Sequence, residues 1–347
     1  MDTPGEKLLI KLWETLAEKG IGKLLGPWQE SREARARLAI RRDEMLMLAQ
    51  AQNDVDDIRA GRKQLRSDGT LLLNTEAPHA RASDGRLEPT LQLSTAMIHG
   101  QEAAALGAAQ SEINASKAIL YAEEQLSTDP QAPPDQSIDE DWLFTWRELA
   151  GRTSTEDLQR LWGSVLAGEV KAPGKYSIRT LEFLKTLSKA EAELISRMAN
   201  FAINGRIVRS QEAFLETKGL TFTIFLEMQE LGILSGAESA GITTTYRSNN
   251  AENFSSVLIS HNKALVISHE DASKTFQLEV YLLTAVGMQV IGLGSFEPDP
   301  EYLLLVAKDI LKQGFTVQIA DWRYTSETSG AYFNGQPVHE DPPATDT

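Results

Sequence analysis

The chain has 347 residues, more than one compact core usually holds, so two or three domains are expected. Its 34 basic and 49 acidic residues give a formal net charge of −15, which disfavours general nucleic-acid binding because phosphate neutralisation dominates that affinity. The lack of cysteine excludes disulfides, thiolate nucleophiles and cysteine-ligated metals, while 41% hydrophobic and 24% charged residues are ordinary globular composition.

The N-terminus, Met1 to Glu6, has no basic region, and the apolar stretch after it is broken by Lys11, Glu14, Glu18 and Lys19, so no signal peptide is expected. The most apolar run, Val280 to Phe296, is interrupted by Thr284, Gln289 and three glycines and reads as core, since a spanning helix needs ~20 apolar residues. A cytoplasmic protein without a transmembrane segment is expected.

Residues 6–28 carry Leu8, Leu9, Leu12, Trp13 and Leu16 at helical spacing, with lysines among them. Such a segment can lie on anionic lipid through Leu12 and Trp13, or dock on the protein's own core. From Ser31 to about Ala60 a second helix is expected. Leu38, Met45, Leu48, Gln52 and Val55 form a short heptad-like, coiled-coil seam, and Arg32, Arg35, Arg37, Arg41 and Arg42 crowd its start. These arginines can meet phosphate or a partner. Interleaved acids make a solvated face the plainer reading. Ser67 to Pro89 reads as a loop, and Thr90 to Leu126 as an alanine-rich helix with Ile98, Leu106, Ala109, Ile113 and Leu120 on one stripe. The two helices suggest an antiparallel hairpin occupying residues 1–126 with the segment before it, and such a hairpin invites self-association.

The proline-bearing segment 127–137 is the expected linker, followed by a helical domain over 138–205. Ser137 with Glu140, Ser154 with Asp157 and Ser188 with Glu191 have the spacing of capping boxes. Trp142, Trp146 and Trp162 sit at helical spacing with leucines and read as core. From Ile207 the pattern becomes mixed. A short strand and two helices through Leu231 precede three strands, Ser256 to His261, Ala264 to His269 and Thr275 to Leu283. A helix capped by Thr284, one over Glu301 to Gln313, and a strand over Phe315 to Trp322 follow. This order resembles a winged-helix domain over 206–323. Its third helix, Thr221 to Leu231, offers only Gln229 to a base edge and sets Glu227 and Glu230 against phosphate, so protein is the expected partner. Residues 324–347, polar and rich in turn formers, are expected to be disordered.

No phosphate-binding loop, nucleophile elbow or zinc-protease motif occurs. The five histidines are scattered; His261 and His269, with Glu270 and Asp271, can be imagined around a metal, although the spacing is that of ordinary strand histidines. No catalytic residue, cofactor or metal is therefore assigned, and an enzyme is the less favoured alternative.

One stretch is more distinctive. Asp141-Trp142, Leu161-Trp162-Gly163 with Leu166-Ala167-Gly168-Glu169, Lys171-Ala172-Pro173-Gly174 and Ser177-Ile178-Arg179-Thr180-Leu181 resemble bacterial domain-of-unknown-function family 2806, with a looser similarity to abortive-infection alpha proteins. The resemblance brings no catalytic residues; the looser one implies a role in antiviral defence. The resulting expectation is a mainly α chain with a C-terminal α+β part, acting as a self-associating interaction or scaffold protein. The alternatives are nucleic-acid contact through Arg32–Arg42 or peripheral membrane attachment through residues 6–28.

Overall fold

The computed structural model describes residues 5–21, 37–65, 71–73, 93–238, 242–248, 250–325 and 329–339. The chain divides into two compact units, Met1–Leu181 and Glu182–Thr347. Helices with one short hairpin make the first, and helices with antiparallel sheets make the second. No helix among the described residues is long and apolar enough to cross a membrane.

In the first unit α1 (Glu6–Glu18) turns Leu8, Leu9, Leu12 and Leu16 inward. It packs on α3 (Leu93–Ser127) and α5 (Glu156–Lys171). Gly5, at φ +80, starts it against Leu126, where a Cβ would fall 2.0 Å from the backbone carbonyl oxygen. The second helix, α2 (Arg37–Arg59), runs beside α3, and the start expected from Ser31 lies outside the described residues. Leu48 and Val55 of the heptad-like seam are buried, Gln52 is hydrogen-bonded to Gln110 of α3, and Leu38 has its side chain outside the described residues. Over Leu48, Gln52 and Val55 the seam is thus spent on the chain's own α3.

Between these helices a short hairpin places its second strand inside the loop expected over 67–89. β1 (Lys63–Leu65) pairs antiparallel with β2 (Leu71–Leu73), and Lys63 is held by Asp54 and Asp57 at 2.7 and 2.9 Å.

α3 changes character along its length. Residues 101–109 are exposed apart from half-buried Leu106, so Ala109 leaves the expected stripe, while Ile113 to Ala122 is buried almost all round. α4 (Glu140–Gly151) and α5 cover that second half. The expected linker 127–137 therefore joins two helices of one unit. Lys171 holds it, reaching Asp129 at 2.6 Å and accepting from Gln131 at 3.0 Å on its carbonyl oxygen. The boundary falls instead inside α6 (Ile178–Thr186), so the helical domain expected over 138–205 is divided.

The capping expectations are corrected in two of three places. Asp139, rather than Ser137, caps α4 by accepting the Trp142 N–H at 2.9 Å, and α5 starts at Thr155 without a side-chain cap. Ser188 and Glu191 do form the reciprocal box that opens α7 (Lys189–Ala199).

After α7 the second unit runs β3 (Arg206–Val208), α8 (Glu212–Thr217), α9 (Phe222–Glu230), β4 (Leu234–Ser235) and β5 (Ile242–Tyr246). Then come β6 (Phe254–Ser260), β7 (Lys263–His269), β8 (Phe276–Leu283), α10 (Ala285–Ile291) and α11 (Pro300–Leu311). β9 (Thr316–Tyr324) and β10 (Gly330–Pro337) follow. β8 lies between β3 and β4 and also pairs with β5, all antiparallel. A second sheet has the order β10-β9-β7-β6. Phe254, Phe276 and Phe315 meet edge to face or tilted at 4.8 to 5.8 Å in the core of this unit. The disorder expected from residue 324 is overturned over 330–337, where Tyr332 sits opposite Trp322 and the strand completes a hairpin with β9.

Candidate functional site

The distinctive sequence motif forms one locked core. Trp142 and Trp146 of α4 are buried, and their indole nitrogens donate to the carbonyl oxygens of Tyr176 at 2.6 Å and Trp162 at 2.9 Å. Gly163 lets α5 approach α3: a Cβ there would lie 2.6 Å from Tyr121 Cβ and 2.9 Å from the Ala118 carbonyl oxygen. Gly168 makes room for the Tyr176 ring, at 2.6 Å from the same hypothetical atom. Glu169 is buried, and its carboxylate gathers the N–H groups of Gly174 at 2.5 Å and Tyr176 at 3.0 Å. Burial pushes this carboxyl above its ordinary value, with the N–H groups of residues 174 to 176 opposing part of the rise. Gly174, at φ +87, supplies the turn that aims them. The motif is thus explained by packing and loop closure.

A polar cleft of about 610 Å³ opens in the same unit beside α2, α3 and the α4–α5 turn. Its floor is an amide chain. Gln52 and Gln110 exchange hydrogen bonds, Gln110 donates to Asn114 at 3.0 Å, and buried Gln159 donates to the same Asn114 oxygen at 3.3 Å. Asn114 Nδ2 donates to the Gly151 carbonyl oxygen at 2.8 Å. Every polar atom of the Asn114 side chain is satisfied, which lets it sit inside a helical core. Sequence reasoning passed over Asn114; the available signal was an amide between Ile113 and Ala115 on a buried stripe.

In the second unit α9 turns Phe225 and Met228 inward, with Phe225 stacked on Tyr281 at 4.5 Å between ring centroids. Its outer face shows Phe222, 44% exposed, with Thr223, Glu227 and Glu230. Gln229 is already engaged, accepting the Ala237 N–H at 2.7 Å. Beside this helix the Tyr281 hydroxyl donates to Glu212, which also receives Arg209 at 2.8 Å, and burial together with the Glu212 charge pushes the phenol up.

The other sequence-derived candidates scatter. Arg32 and Arg35 lie outside the described residues; Arg37, Arg41 and Arg42 belong to α2, with side chains outside the described set. Leu12 is fully buried and Trp13 half-buried. His261 and His269 stand beyond opposite ends of the stretch Asn262–Ser268, ~20 Å or more apart at strand rise. His261 Nε2 is 2.7 Å from the Ala199 carbonyl oxygen, and His269 Nδ1 accepts the Asp271 N–H at 3.0 Å, so the imagined metal pair is not assembled. Among the described residues no group of three or more metal-ligating side chains occurs.

Fold and motif together define a chain with a helical unit closed by a Trp–Gly–Glu core and an α+β unit built on two antiparallel sheets. The family model described as a protein of unknown function (DUF2806) matches residues 101–307, more than half of the chain, and the chain belongs to that family. No curated protein and no solved structure matches it.

Proposed function

We propose that this is an interaction protein whose second unit docks a protein partner on the outer face of α9. The run α7, β3, α8, α9, β4 and β5, closed by β8 after the β6–β7 hairpin of the other sheet, supports a winged-helix-like reading, since β8 pairs antiparallel with β3, β4 and β5. The observation that carries the choice of partner is the surface of its third helix: exposed Phe222 is followed by Glu227 and Glu230, and no cation of α9 accompanies them. A groove reader needs positive charge and free amides there. An exposed aromatic rimmed by acids suits a protein surface with an apolar socket and basic margin. Burial of Leu12 under α3 and α5 supports docking of α1 on its own chain over contact with lipid.

The test is affinity purification of the tagged chain from its own cells, comparing wild type with Phe222→Asp combined with Glu230→Lys. A protein retained by wild type and lost from the variant supports this reading. Nucleic acid bound in a salt-sensitive way, and lost on reversing Arg35 and Arg41, overturns it.

A further inference from the structure

The four-stranded sheet β10-β9-β7-β6 has two edges, and they are treated differently. The β6 edge is closed by its own chain. Asn204, at φ 46, donates its N–H to the Ile259 carbonyl oxygen at 2.8 Å, and its side-chain oxygen accepts the Ile259 N–H at 2.7 Å. Four residues along, the Ser255 N–H donates to Ser248 Oγ at 3.1 Å. Both backbone groups of Ile259, the Val257 carbonyl oxygen, which accepts from Asn204 Nδ2 at 3.4 Å, and the Ser255 N–H are thereby occupied on the side away from β7. Nothing comparable covers β10: among the described residues β9 is its sole pairing partner, and residues 331–337 are all exposed.

The first half of the open edge also lacks protection by charge. Natural edge strands carry charge, often lysine, to discourage pairing. Here Gly-Ala-Tyr-Phe-Asn-Gly-Gln-Pro, residues 330–337, has no charge at all in a chain of net charge −15. Tyr332 and Phe333 are 50% and 40% exposed, and Tyr324 of the neighbouring strand is 55% exposed. The irregular register between Phe333 and Gln336 and the proline at 337 confine regular outward pairing to the first half of the strand.

We propose that two copies of this chain pair β10 to β10, antiparallel about a twofold axis near Tyr332 and Phe333, to make one continuous eight-stranded sheet. A second copy is the occupant because an uncharged strand meets its own image without the like-charge repulsion that the rest of an acidic surface would impose. Because the β6 edge is blocked, β10 cannot add to β6 of another copy, so the contact is isologous and closes at two instead of growing into a filament. The pairing is independent of α9. A short overlap with two aromatics a side lies at or below the low end of specific interfaces, ~1,200 Å², so dissociation in the micromolar range is expected.

The experiment is sedimentation velocity over a concentration series of the full chain, with Tyr332→Lys and Tyr332→Glu measured singly and mixed. Wild type should pass from monomer to dimer and stop there. Each variant should weaken dimerisation at least tenfold through like charges facing across the axis, and an equimolar mixture should recover it. Hydrogen exchange provides a second readout, in which the Tyr332 amide slows with rising concentration in wild type only. A wild type that stays monomeric, grows beyond two, or dimerises equally well with either charge at 332 overturns the proposal, as does a mixture that fails to recover.

Discussion

The Glu169 carboxylate accepts the backbone N–H of Tyr176 at 3.0 Å, while the Tyr176 ring fills the space left by Gly168, one residue before that carboxylate. One side chain thus fastens the turn after α5 and a neighbouring absence of side chain seats it. Glu169→Ala strands buried N–H groups and should cost ~2–3 kcal/mol in denaturant unfolding of the first unit. The pH dependence has a definite sign. Burial raises the folded-state carboxyl, so its stabilising contribution is complete below the ordinary carboxyl range and is lost as pH rises through the raised value. Glu169→Gln should flatten that fall; an unchanged slope would place the titration elsewhere.

Gly163 and Gly168 predict a graded pair. Alanine at 163 drives its Cβ toward the Tyr121 Cβ and the Ala118 backbone of α3, which yield only if two helices part. Alanine at 168 meets the Tyr176 ring, a side chain that can tilt. Overpacking of this kind costs ~1–3 kcal/mol, so urea midpoints should order wild type above Gly168→Ala above Gly163→Ala. The reverse order would mean that the ring is more tightly held than the helix contact.

What the sequence disclosed follows from the range of the interactions concerned. The Ser188–Glu191 box spans three residues and was readable as it stands, as were the tryptophan and leucine stripes of α4 and α5. The proline-bearing segment 127–137 looked like a boundary because its attachments to Lys171 lie forty or more residues away. β5 pairs with residues 276–280, thirty or more positions on, and its Thr-rich run carries no strong core signal. β10 was hidden for a different reason: its polar composition suggests disorder, and only pairing with Trp322, ten residues before it, makes Tyr332 part of a strand. The motif residues were visible as a pattern, but the task of Glu169 was not, since nothing local says that a carboxylate will turn inward.

In the second unit the Tyr302 hydroxyl is fully buried and accepts the Val208 N–H at 2.6 Å, tying α11 to β3. Burial pushes this phenol up, so it stays protonated across the ordinary range. Tyr302→Phe keeps the ring against Phe201, 5.2 Å away, and removes only the acceptor. The expected loss is ~1–3 kcal/mol, the cost of a buried donor without a partner. Hydrogen exchange should show faster opening at Val208 while the Trp146 side of the first unit is unaffected. Equal protection at Val208 in the variant would mean that the N–H finds another acceptor.

Asn114 gives the sharpest electrostatic prediction because its two ends have opposite duties. Its oxygen accepts from Gln110 and Gln159, and its nitrogen donates to the Gly151 carbonyl oxygen. Asn114→Asp preserves shape and both acceptor contacts, but an ionised carboxylate has no proton for Gly151 and is buried facing a carbonyl oxygen. The carboxyl should therefore stay protonated to higher pH in the folded chain than in the unfolded one. By linkage its stability is fully present in acid, below the unfolded-state value, and is lost as pH rises through the raised value. Compared with wild type in urea, the variant should be nearly unaffected at about pH 4 and weaker by ~3 kcal/mol or more near neutrality. Asn114→Leu removes the titration altogether and should show a penalty that does not change with pH. If the aspartate and leucine variants share the same pH profile, the Gly151 contact is not what holds this amide in the core.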